Sequence, residues 1–503
     1  MNLADALSEH GSLEEINGML LSGDRHSALR RELSALLSPS NALEHCHVRH
    51  ARFRPGHKLR ANFDVDIRTP DGARHSTRAI EVTWRPPRSK DHHGKAMDLG
   101  EMQEEALRRG VAAPFCRLVA DLPALGMSVK VSPLDSHFPQ LVRMSDPNYV
   151  GDVIARISSA DDARKIGRLT GRYKVTCIRY RPGRRHVLRY DCLDSPERGT
   201  LFAKMYAGEN AARASHIATA VADWFGQFGE GITSLRPLAY LPEDAVVLYR
   251  RILGEPLSQR LQNPSRIAGK SLRAVGLALR ALHKVPQEIV GPLKLHDLAA
   301  EIKQIKRSGE HLPTLLPSAG DTIKAMLARA TELDERLPKE QPTFAHGDFI
   351  SEHIWVASAG LVLIDFDNCV LADPALDIGK FLADLELVYT NHCLQGVEEA
   401  KEVFLAGYRS SMPVERMFRA RLFEAIKLVK MAARRVYVFE RDWAFRTAGL
   451  IARAQALMTD LEHTLGMPVR QVSAPERSEG TVARNEVPKS LPQPGLEKTA
   501  PPV

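Results

Sequence analysis

Apolar residues follow two different periods along this chain, and the switches between them divide it. Over residues 1 to about 40, Leu13, Ile16, Met19 and Leu20, then Leu29, Leu33, Leu36 and Leu37, recur at helical spacing. Ser12 and Glu15 have the form of a capping box, so two short helices are predicted. From Val48 to Ile67 the pattern alternates around Pro55-Gly56, which predicts a hairpin. The pattern returns from Cys177 to Asp191 around Pro182-Gly183. Arg54, Pro55, Gly56, Asp64 and Gly72 map onto Arg181, Pro182, Gly183, Asp191 and Gly199 at a constant offset of 127 residues. That ungapped register predicts an internal repeat, two copies of a small antiparallel sheet. Residues 159 to 168 read as helical. Later, residues 264 to 285 read as a helix with Leu272, Val275, Leu279 and Leu282 on one face, and residues 296 to 337 as charged helices. Residues 380 to 466 carry long amphipathic helices, with Leu422, Ala425, Ile426, Val429 and Ala433 on one face. From about 468 the chain turns Pro-, Ser- and charge-rich, which predicts disorder.

A short-period island interrupts the helical half. Ile354 to Val356 and Leu361 to Phe366 flank Ala357 to Gly360 and predict a hairpin. His346-Gly347-Asp348 precedes it, and Asp365-Phe366-Asp367 closes it. Asp348 and Asp365 are thus expected close in space. Phosphoryl transfer needs one carboxylate to orient a hydroxyl and another to hold Mg²⁺. Lys204 sits in the apolar run Leu201 to Tyr206. Burying an ammonium without a partner is costly. Lys204 is therefore either a ligand-binding residue or an edge-strand lysine pointing to solvent.

His346-Gly347-Asp348, then Ile364-Asp365-Phe366-Asp367, then Asp373-Pro374-Ala375-Leu376-Asp377 resemble the aminoglycoside phosphotransferase and choline kinase family. The resemblance implies an α+β, bilobal protein-kinase-like fold with a small antiparallel β N-lobe and a mainly helical C-lobe. An extra α+β domain resembling a degenerate N-lobe would precede it. It also implies ATP-dependent phosphorylation of a small-molecule hydroxyl of the sugar, aminoglycoside or amino-alcohol class. Asp348 would be the catalytic residue, Asp365 the metal ligand and Lys204 the phosphate-binding lysine. Asp367 is either a further metal contact or a surface residue. Asp377 would brace the catalytic loop, and His283 would bond backbone near it. The turn Arg181 to Arg185 is not Gly-rich, so Arg184 or Arg185 is expected to reach the nucleotide phosphates, unless the turn is simply solvated. The first copy offers Arg78 near the lysine position only after a one-residue shift, and is read as degenerate. His353 stands where the family has Asn. A neutral imidazole suits Mg²⁺ less well than an amide oxygen, so His353 leaves a metal position to water, favours Mn²⁺ or marks lost activity.

Composition narrows this little. A net charge of +8 and a pI near 9.1 permit a polyanionic partner, but the basic residues are scattered and no nucleic-acid motif occurs. No run of about 18 apolar residues predicts a membrane span, and Met1 to Glu9 lack the form of a secretory signal. Six scattered cysteines suit reduced thiols in the cytoplasm. The expected domains are 1–160, an α+β unit; 161–253, the N-lobe; 254–467, the C-lobe; and 468–503, a tail. Two rival functions remain open: a non-catalytic nucleotide-binding module and a metal-dependent phosphohydrolase.

Overall fold

The computed structural model describes residues 3–70, 75–86, 99–159, 171–194, 199–208, 210–263, 266–409, 413–434, 439–440 and 442–467. The helix expected over 159–168, the tail from 468 and Gly72 lie outside these residues, apart from Ser159 at the helix end. Three helices, rather than two, open the chain: Leu3–Ala6, Leu13–Leu20 and Gly23–Leu36. Ser12 and Glu15 form the expected capping box on the second.

Two five-stranded antiparallel sheets follow. The first contains β1 (Ala42–Arg54), β2 (Lys58–Arg68), β3 (His75–Trp84), β4 (Val119–Leu122) and β5 (Met127–Val131), in the order β1-β2-β3-β5-β4. The second contains β6 (Tyr173–Arg181), β7 (Arg185–Cys192), β8 (Thr200–Met205), β10 (Ala239–Leu241) and β11 (Val246–Arg250), in the order β10-β11-β8-β7-β6. These are the same sheet strand for strand. Each has a helix between its third and fourth strands, Leu99–Arg108 and Asn210–Phe228. Each joins its last two strands by one 3₁₀ turn opening on proline, Pro123–Leu125 and Pro242–Asp244, closed by a left-handed residue, Gly126 or Ala245.

The register fixes which residues correspond. Arg60 pairs with Thr83, and Thr83 with Ser128; Val187 pairs with Lys204, and Lys204 with Val247. Thr83 therefore occupies the place of Lys204. Arg78 is at a different level of the strand, where it pairs with Val65 and its Nη2 donates to the Val111 carbonyl at 3.0 Å. The one-residue shift fails because strand register is set by the whole ladder and not by the nearest basic residue.

One face of the second sheet packs on helices Gln140–Met144 and Pro147–Ser159, through Phe138, Leu141, Val150, Tyr190 and Ala203. Its other face turns Lys204 and Val247 toward the remainder of the chain. There, β15 (Ile354–Ala357) and β16 (Gly360–Leu363) form the expected hairpin. That hairpin is held between β12 (Gly254–Pro256) and the parallel strand β9 (Ile232–Ser234). Chain leaving β11 thus passes directly onto the hairpin carrying the acidic motif. A three-stranded sheet, β13 (Leu295–His296), β17 (Val370–Ala372) and β14 (Thr343–Ala345), flanks it. Helices fill the rest, among them Arg266–Leu282, Pro317–Arg336, Ala375–Asn391, Val414–Arg434 and Trp443–Thr464. The fold is the bilobal kinase-like one, with the extra sheet domain before it. No helix among the described residues is long and apolar enough to cross a membrane.

Candidate active site

The loop from β14 to β15 is built around Gly347 and Asp377. Gly347 has φ +75°, and a Cβ there would lie 2.2 Å from the Asn368 carbonyl oxygen, so the turn admits only glycine. Asp377, fully buried on helix Ala375–Asn391, accepts from the His346 N–H at 2.6 Å and the Gly347 N–H at 2.9 Å. His283 Nε2 lies 3.4 Å from the same carboxylate, and its Nδ1 is 2.7 Å from the Tyr408 hydroxyl. His283 thus meets a side chain near the loop, where backbone was expected. Burial works against ionisation of Asp377, but His283, His346 and the backbone N–H prevail and keep its carboxyl below the usual range. His346 Nε2 reaches the Ile364 carbonyl at 2.9 Å, tying the loop to the residue before Asp365.

Asp365 sits at the end of β16 in the left-handed region, φ 66° and ψ 57°. A non-glycine residue there is strained and persists because surrounding contacts hold it. Those contacts are ionic. Lys204 Nζ lies 2.7 Å from Asp365 Oδ1 and 2.8 Å from Asp367 Oδ2. Arg185 Nη1 spans the same pair, at 3.1 Å and 2.6 Å. The Tyr206 hydroxyl donates to Asp367 Oδ1 at 2.8 Å. Lys204 is only 3% exposed, so the solvent-facing alternative fails. Burial disfavours the Asp365 anion, yet Lys204, His353 and Arg185 together drive its carboxyl well below the ordinary range.

His353 joins the two acidic positions. Its Nδ1 is 2.9 Å from the Asp348 carbonyl oxygen, which can only accept, so Nδ1 carries the proton. Nε2 is then aimed at Asp365 Oδ2, 3.3 Å away. Two acceptors facing each other require a cation between them or a proton on the ring. With the ring charged these atoms form an ion pair, which is how His353 lowers the Asp365 carboxyl; with the ring neutral the Nε2 lone pair fits a metal ion, with Asp365 and His353 as its ligands. No third His, Cys, Asp or Glu atom among the described residues joins them within 4.8 Å. That suits an ion that retains several waters. Asp348 projects from the loop with its side chain 30% exposed and Lys380 Nζ 3.3 Å from Oδ1. Burial opposes its ionisation, but Lys380, then His353 and His346, hold its carboxyl well below the usual range.

The turn between β6 and β7 is fixed from outside its own sheet. Asp135, in the segment before helix Gln140–Met144, accepts from the Gly183 N–H at 2.6 Å and contacts His186 Nε2 at 2.8 Å. Arg184 and Arg185 diverge from this turn. Arg185 goes to the carboxylates; Arg184 is instead influenced most, after its burial, by Arg52, Arg434, Arg60 and Arg307. The structure therefore brings Lys204, Arg185, Asp365, Asp367, His353 and, through His353, Asp348 together, and leaves Arg184 apart.

The chain resembles known proteins over the segment that carries this site. Residues 179–417 match the phosphotransferase enzyme family, APH. The match bears out the resemblance carried by the motifs. No curated protein matches the chain. Among solved structures, a choline/ethanolamine kinase family protein from Mesorhizobium loti is 18% identical, covering 63% of this chain and 98% of its own, with a TM-score of 0.43. A choline kinase from Cryptosporidium parvum is 12% identical, covering 63% and 97%, at 0.44. Spectinomycin phosphotransferase APH(9)-Ia, in complex with ADP and spectinomycin, is 15% identical, covering 56% and 92%, at 0.42.

Three residues that support the site escaped the sequence reading. Lys380 stands one helical turn after Asp377, a spacing that could have exposed it. Tyr206 follows Lys204 by two, on the same strand face if the strand is extended that far. Asp135 offered no local signal, because its partners Gly183 and His186 lie about fifty residues away and outside any shared motif.

Proposed function

We propose that the chain is an ATP-dependent kinase that phosphorylates a hydroxyl of a small molecule. One observation carries this reading. Lys204, Arg185, Asp365, His353 and Asp348, from well-separated segments, meet in one continuous polar network beside the phosphotransferase-family loop. Lys204 and Arg185 exchange Asp365 and Asp367 for the nucleotide phosphates, where charge-assisted bonds are strong. Asp365 and His353, with Asp367 nearby, would hold Mg²⁺ or Mn²⁺, which when bound would neutralise nucleotide phosphate charge. Asp348 orients the acceptor hydroxyl and receives its proton at a carboxylate oxygen. Its low basicity is tolerable because the loose transition state leaves little negative charge to be generated on the acceptor early on. Lys380 keeps Asp348 ionised and fixes its direction. Asp135 holds the turn that carries Arg185, replacing the mobile backbone of a Gly-rich loop.

The test is ADP release with either metal across a panel of alcohols. Asp348→Asn should lower turnover by at least about 10²-fold, the low end for a positioned general base. Its nucleotide-induced thermal shift should persist, since nucleotide at about 100 times Kd adds roughly 2.7 kcal/mol. Unchanged turnover in this variant would refute the role given to Asp348. The pairing of both carboxylates with Lys204 and Arg185 favours one other reading, a nucleotide-binding module without catalysis. A nucleotide shift with no metal-dependent ADP release from any acceptor would select it.

A further inference from the structure

Resting on the kinase reading, we propose that the acceptor already carries phosphate, and that Arg52, Arg60, Arg184 and Arg434 seat this anionic group while its hydroxyl reaches Asp348. Asp348 and Lys380 open onto a cavity of about 2670 Å³ that also borders the first sheet, the β6–β7 turn and helix Val414–Arg434. Ordinary small-molecule pockets run to about 1,000 Å³, so this one has room for a nucleotide and a second sizeable ligand. Among the described residues its lining carries seventeen Lys and Arg against seven Asp and Glu. That excess is larger than the net charge of the whole chain, +8.

The four arginines come from three separate parts of the fold and have little to neutralise them. Arg60 Nη1 lies 3.4 Å from Glu81, which Lys130 also approaches at 2.8 Å, and Arg60 Nε is buried with no partner. Arg52 and Arg184 are each held below the ordinary guanidinium range, first by burial and then by neighbouring arginines, which for Arg52 act against the opposing pull of Glu310. At the foot of the same wall, Lys427 and Lys430 share the single carboxylate of Glu301, at 2.6 and 2.7 Å. Gathering like charges in a cleft is unfavourable unless an anion occupies it. Arg54, bonded to Glu310 at 3.0 Å, marks where the first sheet meets the large lobe beside this wall.

A nucleotide alone leaves this wall unexplained. Nucleotide phosphates are assigned to Lys204 and Arg185, whereas Arg52 and Arg60 belong to the other sheet. Guanidinium forks match carboxylate and phosphate oxygens alike, but a phosphate monoester offers three terminal oxygens and a charge of about −1.5 to −2 where a carboxylate offers two oxygens and one charge, so several arginines together favour phosphate. The same field repels cationic acceptors. The degenerate copy thus acquires a use: it contributes the specificity surface for the acceptor.

The test uses the full chain saturated with ADP and Mg²⁺, whose binding independently reports the kinase reading. Glucose 6-phosphate and glycerol 3-phosphate are titrated against glucose, glycerol, choline and kanamycin by calorimetry. The phosphorylated member of each pair should bind at least tenfold more tightly, and weaken as salt rises. Arg52→Gln combined with Arg434→Gln should remove that preference, with ADP affinity held as the control for folding. Equal or tighter binding of the neutral or cationic compounds would overturn the proposal. So would tight binding of a 20-nucleotide single-stranded RNA alongside no preference for the phosphorylated small molecules. Absent ADP binding, with the anion preference intact, would instead sink the kinase reading alone.

Discussion

Asp377→Ala tests how the catalytic loop is held. Asp377 is fully buried and is the acceptor for two backbone N–H groups, of His346 at 2.6 Å and Gly347 at 2.9 Å. Alanine leaves both donors in the protein interior. An orphaned buried donor costs roughly 1–3 kcal/mol, so the pair costs about 4 kcal/mol. His283 also loses its carboxylate partner. The loss is local, because the bonds hold one loop against helix Ala375–Asn391. Hydrogen exchange of the peptide covering residues 344–356 reads such a local opening. About 4 kcal/mol corresponds to exchange accelerated by roughly a thousandfold. Asp377→Asn should be milder, since its amide oxygen still accepts from one N–H while the NH₂ faces the other. The sign of the pH dependence follows from the lowered carboxyl of Asp377. A carboxyl depressed by folding contributes stability that is present above the unfolded value near 3.9 and is lost as pH falls toward the folded one. Loop protection in the wild type should therefore decline below about pH 4, and in Asp377→Ala it should not depend on that step. Exchange in Asp377→Ala within threefold of wild type would refute the account.

Gly347→Ala should disable the loop more severely than its size suggests, because the added Cβ meets the Asn368 carbonyl at 2.2 Å and φ is +75°; ADP release should vanish while circular dichroism stays near wild type. His353→Asn should shift metal preference from Mn²⁺ toward Mg²⁺, since an oxygen donor replaces an imidazole beside Asp365; an unchanged ratio of the two nucleotide-dependent thermal shifts would count against His353 as a ligand. Lys430 is pushed down to about 7 by burial first, then Lys427 and Arg434, against the pull of Glu301. A lysine lowered by folding weakens the fold where it is charged, so stability should rise with pH between about 7 and the unfolded value near 10.4, and Lys430→Met should flatten that rise in thermal unfolding.

Much of the site was legible because phosphoryl-transfer chemistry demands particular side chains at short spacings. His346-Gly347-Asp348 and Asp365-Phe366-Asp367 flank one hairpin, and local pattern placed that hairpin correctly. Lys204 stood out because an ammonium inside an apolar strand needs a partner, and the partner proved to be the expected metal carboxylate. The duplication was visible in the first hairpin of each copy, although the matching helix and closing strands were not read. Their sequences have diverged while strand pairing, which depends on backbone, has not.

The sequence by itself determined the acidic motif, the capping box at Ser12, the helical second half and the existence of two related sheets, because each depends on neighbours within a few turns or strands. Only the tertiary structure decided that Arg185 and not Arg184 faces Asp365, that Asp135 holds their turn, that Lys380 pairs with Asp348 and that Thr83 replaces Lys204 in the first copy. It also decided the charge map. Basic residues that look scattered along the chain converge on one cleft, because electrostatic interaction acts through space and folding sets those distances without regard to sequence separation.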